Sequence, residues 1–137
     1  MFELHPTLAK DTVSVTALAL SRVLLMNDAR FPWLILVPQG SDVCEDVREI
    51  HHLAQGDQTL LFAEAMRASE ILEKMFAPDK INVGALGNLV EQLHFHVIAR
   101  FKTDAAWPGP VWGHGKAEPY APDELERIRS SLTNAFG

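Results

Sequence analysis

The stretch "EQLHFHVIARF", residues 91–101, alternates in a way that decides how the rest of the chain is read. Successive side chains of a β-strand point to opposite faces. Leu93, Phe95, Val97, Ala99 and Phe101 therefore share one face, which is wholly apolar. Gln92, His94, His96, Ile98 and Arg100 share the other. The period of two predicts a strand whose apolar face lies on a core. The opposite face carries two histidines and an amide, residue types that core packing does not select.

Upstream, "INVGAL" (81–86) reads as a strand and "GN" (87–88) as a turn, so a β-hairpin is expected here. "RVLLMN" (22–27) and "WLILVP" (33–38) are short apolar runs rich in branched residues. The turn chemistry of "DARFP" between them makes a strand pair. From Asp57 to about Phe76 the pattern is helical: Leu61, Ala65, Ala68, Leu72 and Met75 recur at three-to-four spacing. Glu64, Arg67, Glu73 and Lys74 lie elsewhere on the wheel, and "APD" (77–79) ends the helix. Downstream, proline and glycine exclude regular structure from "AWPGPVWGHG" (106–115). Trp107 and Trp112 within it are expected to anchor into a core or an interface. "APDELERIRSSLTNAF" (121–136) predicts a C-terminal helix with Pro122 and Asp123 near its start. Helices separated by hairpin strands make an α+β domain, and 137 residues fit one such domain, 1–137.

Bulk properties exclude several function classes. With 47% hydrophobic and 22% charged residues, the composition is that of a soluble globular protein. A net charge of −6 argues against general nucleic-acid binding, which needs a basic stripe. Any anionic ligand must be held locally. A single cysteine, Cys44, excludes an intramolecular disulfide framework and suits a reducing cytoplasm. "MFELHPTLAKDT" has no apolar signal core, and no run reaches transmembrane length. A cytoplasmic protein without a membrane partner is expected.

On a strand, His94 and His96 project together, with Cα atoms roughly 6–7 Å apart. Such a pair allows three chemistries. Both can be structural histidines satisfied by their neighbours. They can be two metal ligands, but zinc needs at least a third, and His114, Asp104 and Cys44 stand at no identifying spacing. Or one imidazole is a nucleophile and the other a donor beside it. A neutral imidazole can attack phosphorus through one nitrogen while the other holds its proton against an acceptor.

The third reading is favoured by a resemblance. "QLHFHVIARF" resembles the signature of the histidine triad (HIT) family, His-φ-His-φ-His-φ-φ with φ apolar. Gln92 stands at the first histidine position; His94 and His96 match the second and third. The order of strand pair, helix, strand, glycine-containing turn, histidine strand and Trp/Pro-rich tail is similar too, over about residues 15–115. The resemblance implies a HIT-like fold, a five-stranded antiparallel sheet with helices packed against it, and a homodimer. It also implies hydrolysis or transfer of nucleotides, such as dinucleoside polyphosphates or nucleoside phosphoramidates, through a covalent nucleotidyl-histidine and without a cofactor. His94 would be the nucleophile and His96 the contact to phosphate near the leaving group. Gln92 would replace the histidine that orients the nucleophile, although an amide cannot carry a proton between steps. A nucleotide-binding module with weak or lost catalysis is the alternative.

Other positions follow from the same resemblance. Asn88 and Leu89 stand where the family has phosphate-contacting Gln and Ser or Thr. Asn82 is similar to a family asparagine that reaches toward phosphate. Gly84 and Gly87 would let backbone N–H groups approach an anion, the other reading of "GALGN" being a plain hairpin turn. Asn27 matches the position that binds ribose hydroxyls; alternatively Asn27 and Asp28 are a turn-forming pair. Trp33 in "FPWLILVP" stands where a histidine is usual. His51 and His52 match a structural stretch, and Phe2 and Leu25 are expected in the core.

Overall fold

A computed structural model of the chain describes residues 2–39 and 47–137, so Cys44 lies outside the described residues. The elements in order are α1 (Pro6–Asp11), β1 (Thr12–Ala17), β2 (Ser21–Met26), β3 (Trp33–Pro38), α2 (Gln55–Phe76), β4 (Lys80–Gly84), β5 (Phe95–Arg100) and α3 (Pro122–Phe136). The strands form one sheet in the order β1-β2-β3-β5-β4, every neighbouring pair antiparallel. This is the α+β architecture expected, with a five-stranded antiparallel sheet. Two elements were not foreseen. α1 is a single short turn of helix, begun by Pro6 and capped by the His5 imidazole, which accepts from Thr7 N–H at 3.1 Å. β1, "TVSVTA", carries too few apolar residues to announce itself, and a bulge interrupts its pairing between Ser14 and Thr16.

The expected hairpin pairs as predicted but does not turn as predicted. Gly84 lies opposite His96, yet β4 stops at Gly84 and β5 begins at Phe95. The connection is the loop 85–94 rather than a two-residue turn at 87–88. Leu93 N–H donates to the carbonyl of Val47 instead of continuing the ladder with β4. Leu86 and His94 consequently belong to the loop. That displacement matters, because His94 is then held by loop contacts.

β5 is buried along its whole length. On one face Phe95, Val97 and Ala99, with Leu93, pack against Leu61, Ala65, Ala68 and Leu72 of α2 and Ile128, Leu132 and Phe136 of α3. Leu25 is part of this core, whereas Phe2 is only partly buried, on the other side. The histidine-bearing face, whose residue types core packing does not select, is nevertheless buried. Trp33, Ile35, Val37 and Ile98 join Phe31, Leu8, Ala106 and Val111 in a second apolar cluster. Both faces are therefore covered, by α2 and α3 on one side and by α1 and irregular chain on the other.

Arg100 anchors that irregular cover. It is 1% exposed, and its guanidinium donates to both carboxylate oxygens of Asp104 at 2.8 and 3.1 Å, to Gly109 O at 2.7 Å and to Asn82 Oδ1 at 2.8 Å. A charge can be buried when its donors are satisfied in this way. Asp104 also accepts from the N–H groups of Phe101, Ala106 and Trp107, which folds the Trp/Pro segment onto the sheet. These bonds outweigh the effect of burial and hold its carboxyl at about 2.

α2 departs from the wheel at two positions. Glu64, expected on the polar side, is buried because its two oxygens accept from Leu20 N–H and Ser21 N–H, each at 2.9 Å. Met75, expected in the apolar stripe, is 36% exposed at the last turn, beyond the reach of the sheet. The helix ends at Ala77 in the left-handed conformation, its N–H on Glu73 O, before Pro78.

Candidate active site

The loop 85–94 brings His94, Gly87, Asn88 and Gln92 around one small cavity of about 130 Å³, with Arg48 at its edge. At about 30 Å³ per water, that is room for about four waters, the scale of a phosphate group. Gly87 lies directly on the imidazole. A Cβ there would stand 2.7 Å from Val90 O and 3.3 Å from His94 Cε1. Only glycine fits.

His94 is 5% exposed and its Nδ1 lies 2.6 Å from the backbone carbonyl of Gln92. A carbonyl only accepts, so Nδ1 carries the proton and Nε2 keeps its lone pair. Burial lowers the proton affinity of the ring, the Gln92 carbonyl opposes this, and the nearby His5 adds to the lowering. The result is a neutral imidazole with a fixed tautomer. Such a ring can act as a nucleophile, and the carbonyl stabilises the positive charge that attack creates.

The orienting group is thus the main chain of Gln92 and not its side chain. The side-chain amide faces the N-terminal segment, accepting from His5 N–H and donating to Glu3 O, each at 2.8 Å. Both polar atoms are engaged in holding residues 3–5 against the loop.

His96, opposite Gly84 and Ile35 in the sheet, is 3% exposed. Its ring lies 4.8 Å from that of His94, edge to face. The indole N–H of Trp33 donates to His96 Nδ1 at 3.0 Å, and Nε2 lies 3.3 Å from Leu86 O. Trp112 packs against the same ring, centroids 5.2 Å apart, and lies over Gly84, where an added Cβ would meet the indole at 3.4 Å. Burial, then the neighbouring His94, push the His96 imidazole down to about 4. It is a neutral hydrogen-bonding group at physiological pH.

Two sequence-derived candidates lie elsewhere. Asn27 borders a separate pocket of about 400 Å³ together with Arg30, Trp33, Val111 and His114. Its Oδ1 accepts from Tyr120 N–H at 2.9 Å, leaving the side-chain NH₂. Asn82 spends its Oδ1 on Arg100 and so serves the strap over the sheet. Asp28 beside Asn27 is buried, and although burial alone would raise its carboxyl, hydrogen bonds from Arg30 and from Glu118 N–H hold it low. His51 and His52 are exposed on a turn, their rings 4.6 Å apart. Among the described residues no group of three or more His, Cys, Asp or Glu is placed to hold a metal. No helix there is long and apolar enough to cross a membrane.

Sequence reasoning missed Arg48 and the bond from Trp33 to His96. Arg48 sits in "REIHHL", with nothing in its surroundings to mark it, and its exposed guanidinium reaches Glu91 at 3.4 Å. Trp33 was marked only as a departure from the resemblance.

A nucleophile-like histidine on a loop over a five-stranded antiparallel sheet, with a second histidine at the start of β5, between β3 and the edge strand β4, defines a class that comparison makes specific. The HIT-domain family model matches residues 8–103. Solved histidine triad proteins of Bradyrhizobium japonicum (41% identity, TM-score 0.92) and Sinorhizobium meliloti (44%, 0.91) are similar over nearly the whole chain. The first match covers 99% of this chain and 98% of that one, the second 98% and 96%. A histidine triad protein of Marinobacter aquaeolei matches at 44% identity and TM-score 0.91, over 98% of this chain and 96% of its own. No curated protein matches. The chain belongs to the histidine triad family, a family of nucleotide-binding proteins and nucleotide hydrolases.

Proposed function

We propose that the protein is a nucleotide hydrolase or nucleotidyl transferase that acts at phosphorus through a covalent nucleotidyl-His94 intermediate. The observation that carries this is the His94 Nδ1 contact to the Gln92 carbonyl at 2.6 Å, which leaves Nε2 with a free lone pair. Nε2 attacks phosphorus, the bond to the leaving group breaks, and water or another acceptor then displaces the nucleotide from the ring. Gly87 and Asn88 border the phosphate, and His96 donates to an oxygen near the leaving group. Arg48, which pairs with Glu91, and Glu49 also line the cavity, so Arg48 is a donor there without a net positive field. An adjoining cleft of about 410 Å³ shares Arg48 and Gln92 with the small cavity, giving room for the rest of a larger substrate. Asn27, with its free NH₂, is the ribose contact in the 400 Å³ pocket, while Asn82 acts indirectly through Arg100.

A second reading is favoured by one observation. The Gln92 side chain is fully engaged with Glu3 and His5, so it cannot move a proton at this position. The alternative is a nucleotide-binding module with weak turnover. Screening purified protein against dinucleoside polyphosphates and adenosine phosphoramidates separates the two. Turnover supports the enzyme; binding of nucleoside monophosphate with no turnover of any of these supports the module.

The proposal includes a cytoplasmic homodimer. Phe62 and Met66 on α2 and Val83 on the edge strand β4 are exposed apolar side chains, and a two-fold pairing would cover them. Sedimentation at micromolar concentration should give twice the chain mass; a monomer would remove this part.

A further inference from the structure

The face of His96 turned from the loop is in contact with two tryptophans, but only one of them is bonded to it. Trp33 Nε1 donates to His96 Nδ1 at 3.0 Å. Trp112 Nε1 is buried without a partner, and that ring only packs. An indole N–H is a donor and never an acceptor, so the Trp33 bond requires a lone pair on His96 Nδ1. The ring proton must then sit on Nε2, and the partner found there, Leu86 O, is an acceptor. The two ends of the ring agree. At 3.3 Å the Leu86 contact is longer than the usual amide-type bond of about 2.9–3.0 Å, so this N–H is easily redirected.

We propose that Trp33 is a positioning residue for His96: its indole fixes the tautomer that aims Nε2–H at the loop, where a substrate oxygen replaces Leu86 O. This deepens the phosphoryl-transfer reading above and rests on it. The position has a further consequence. Trp33 also walls the 400 Å³ pocket that holds Asn27. A nucleoside seated in that pocket touches the same indole that sets the donor at the phosphate, so nucleoside recognition and His96 orientation share one side chain.

The competing explanation is that Trp33 merely fills the second apolar cluster, where it meets Phe31 edge to face at 6.4 Å. An isosteric replacement separates the two. Incorporating 3-benzothienylalanine at position 33 of the full chain keeps the ring shape and replaces the N–H by sulfur. The readouts are the nitrogen-15 shifts of the His96 ring at neutral pH without substrate, and kcat and KM on whichever nucleotide the parent turns over. In the parent, His96 should show a protonated Nε2 and an unprotonated Nδ1. The replacement at 33 should mix the two tautomers and lower kcat by about fivefold to tenfold, the scale of one buried hydrogen bond, with KM changed less. The same replacement at 112 should leave the tautomer as it is, and Trp33→Phe should reproduce the tautomer mixing. A single Nε2–H tautomer retained without the donor at 33 would overturn the proposal, as would mixed tautomers with unchanged kcat. A parent that turns over no nucleotide would sink the functional reading instead, and the nitrogen shifts would still decide whether Trp33 sets the ring.

Discussion

Replacing Gly87 by alanine tests how closely the loop is built around His94. The added Cβ would lie 2.7 Å from the carbonyl oxygen of Val90, whereas ordinary contact begins near 3.4 Å. About 0.7 Å must be found, and the obstacle is backbone, which cannot rotate away as a side chain would. The other neighbour, His94 Cε1 at 3.3 Å, adjoins the nucleophilic Nε2. Relaxation of the loop therefore moves the imidazole or the cavity wall facing it. Overpacking of this kind costs about 1–3 kcal/mol of stability. A displacement approaching 1 Å at a reacting atom can cost about 100-fold in rate. Gly87→Ala should accordingly lower kcat by about 10- to 100-fold and lower the unfolding free energy by about 1–3 kcal/mol. Urea unfolding and steady-state turnover measure the two. Parental values of both would show that the loop is looser than the contact distances imply and would refute the account of Gly87.

Gln92→Ala should release the N-terminal segment, since it removes two side-chain bonds to residues 3 and 5, at a cost of about 1–3 kcal/mol. Faster amide exchange over residues 2–8, with the His94 adduct still formed, is the expected pattern; unchanged exchange would count against the clip. Stability should also fall in acid. The folded His96 is held near 4 by burial and by His94, against 6.5 for a free imidazole, so the unfolded chain takes the proton first. Stability is then full above about pH 6.5 and declines by about 3 kcal/mol as pH falls to about 4. The lowered His94 acts in the same direction. Unfolding free energies that stay flat across this window would contradict the burial of neutral rings.

The histidine strand, the strand pair and both long helices were legible in the sequence because their apolar periods are strong. β1 and α1 were not, since "TVSVTA" and "PTLAKD" are too short and too polar to carry a period. The alternation of residues 92–101 identified the histidine face correctly but could not tell that the face is covered. That cover depends on Arg100 reaching Asn82, Asp104 and Gly109, contacts fixed by tertiary packing. His94, Gln92, Gly87 and Asn88 could be placed together because they share one loop and are close in sequence. Arg48 could not, because it reaches the same cavity from a distant segment without a motif. Gln92 shows the limit most clearly. The residue was recognisable as a departure from the triad, but only the geometry separates its carbonyl, which holds His94, from its amide, which holds the N-terminal segment.

His94 is the point on which the account turns, and one trapping experiment addresses it. The protein is mixed with a radiolabelled nucleoside phosphoramidate or dinucleoside polyphosphate, quenched in alkali to preserve a phosphorus–nitrogen bond, and mapped by peptide mass spectrometry. A nucleotidyl group on His94, absent from a folded His94→Ala variant that still binds nucleoside monophosphate, is the expected result. An adduct on His96, or His94→Ala turning over substrate at the parental rate, would contradict it.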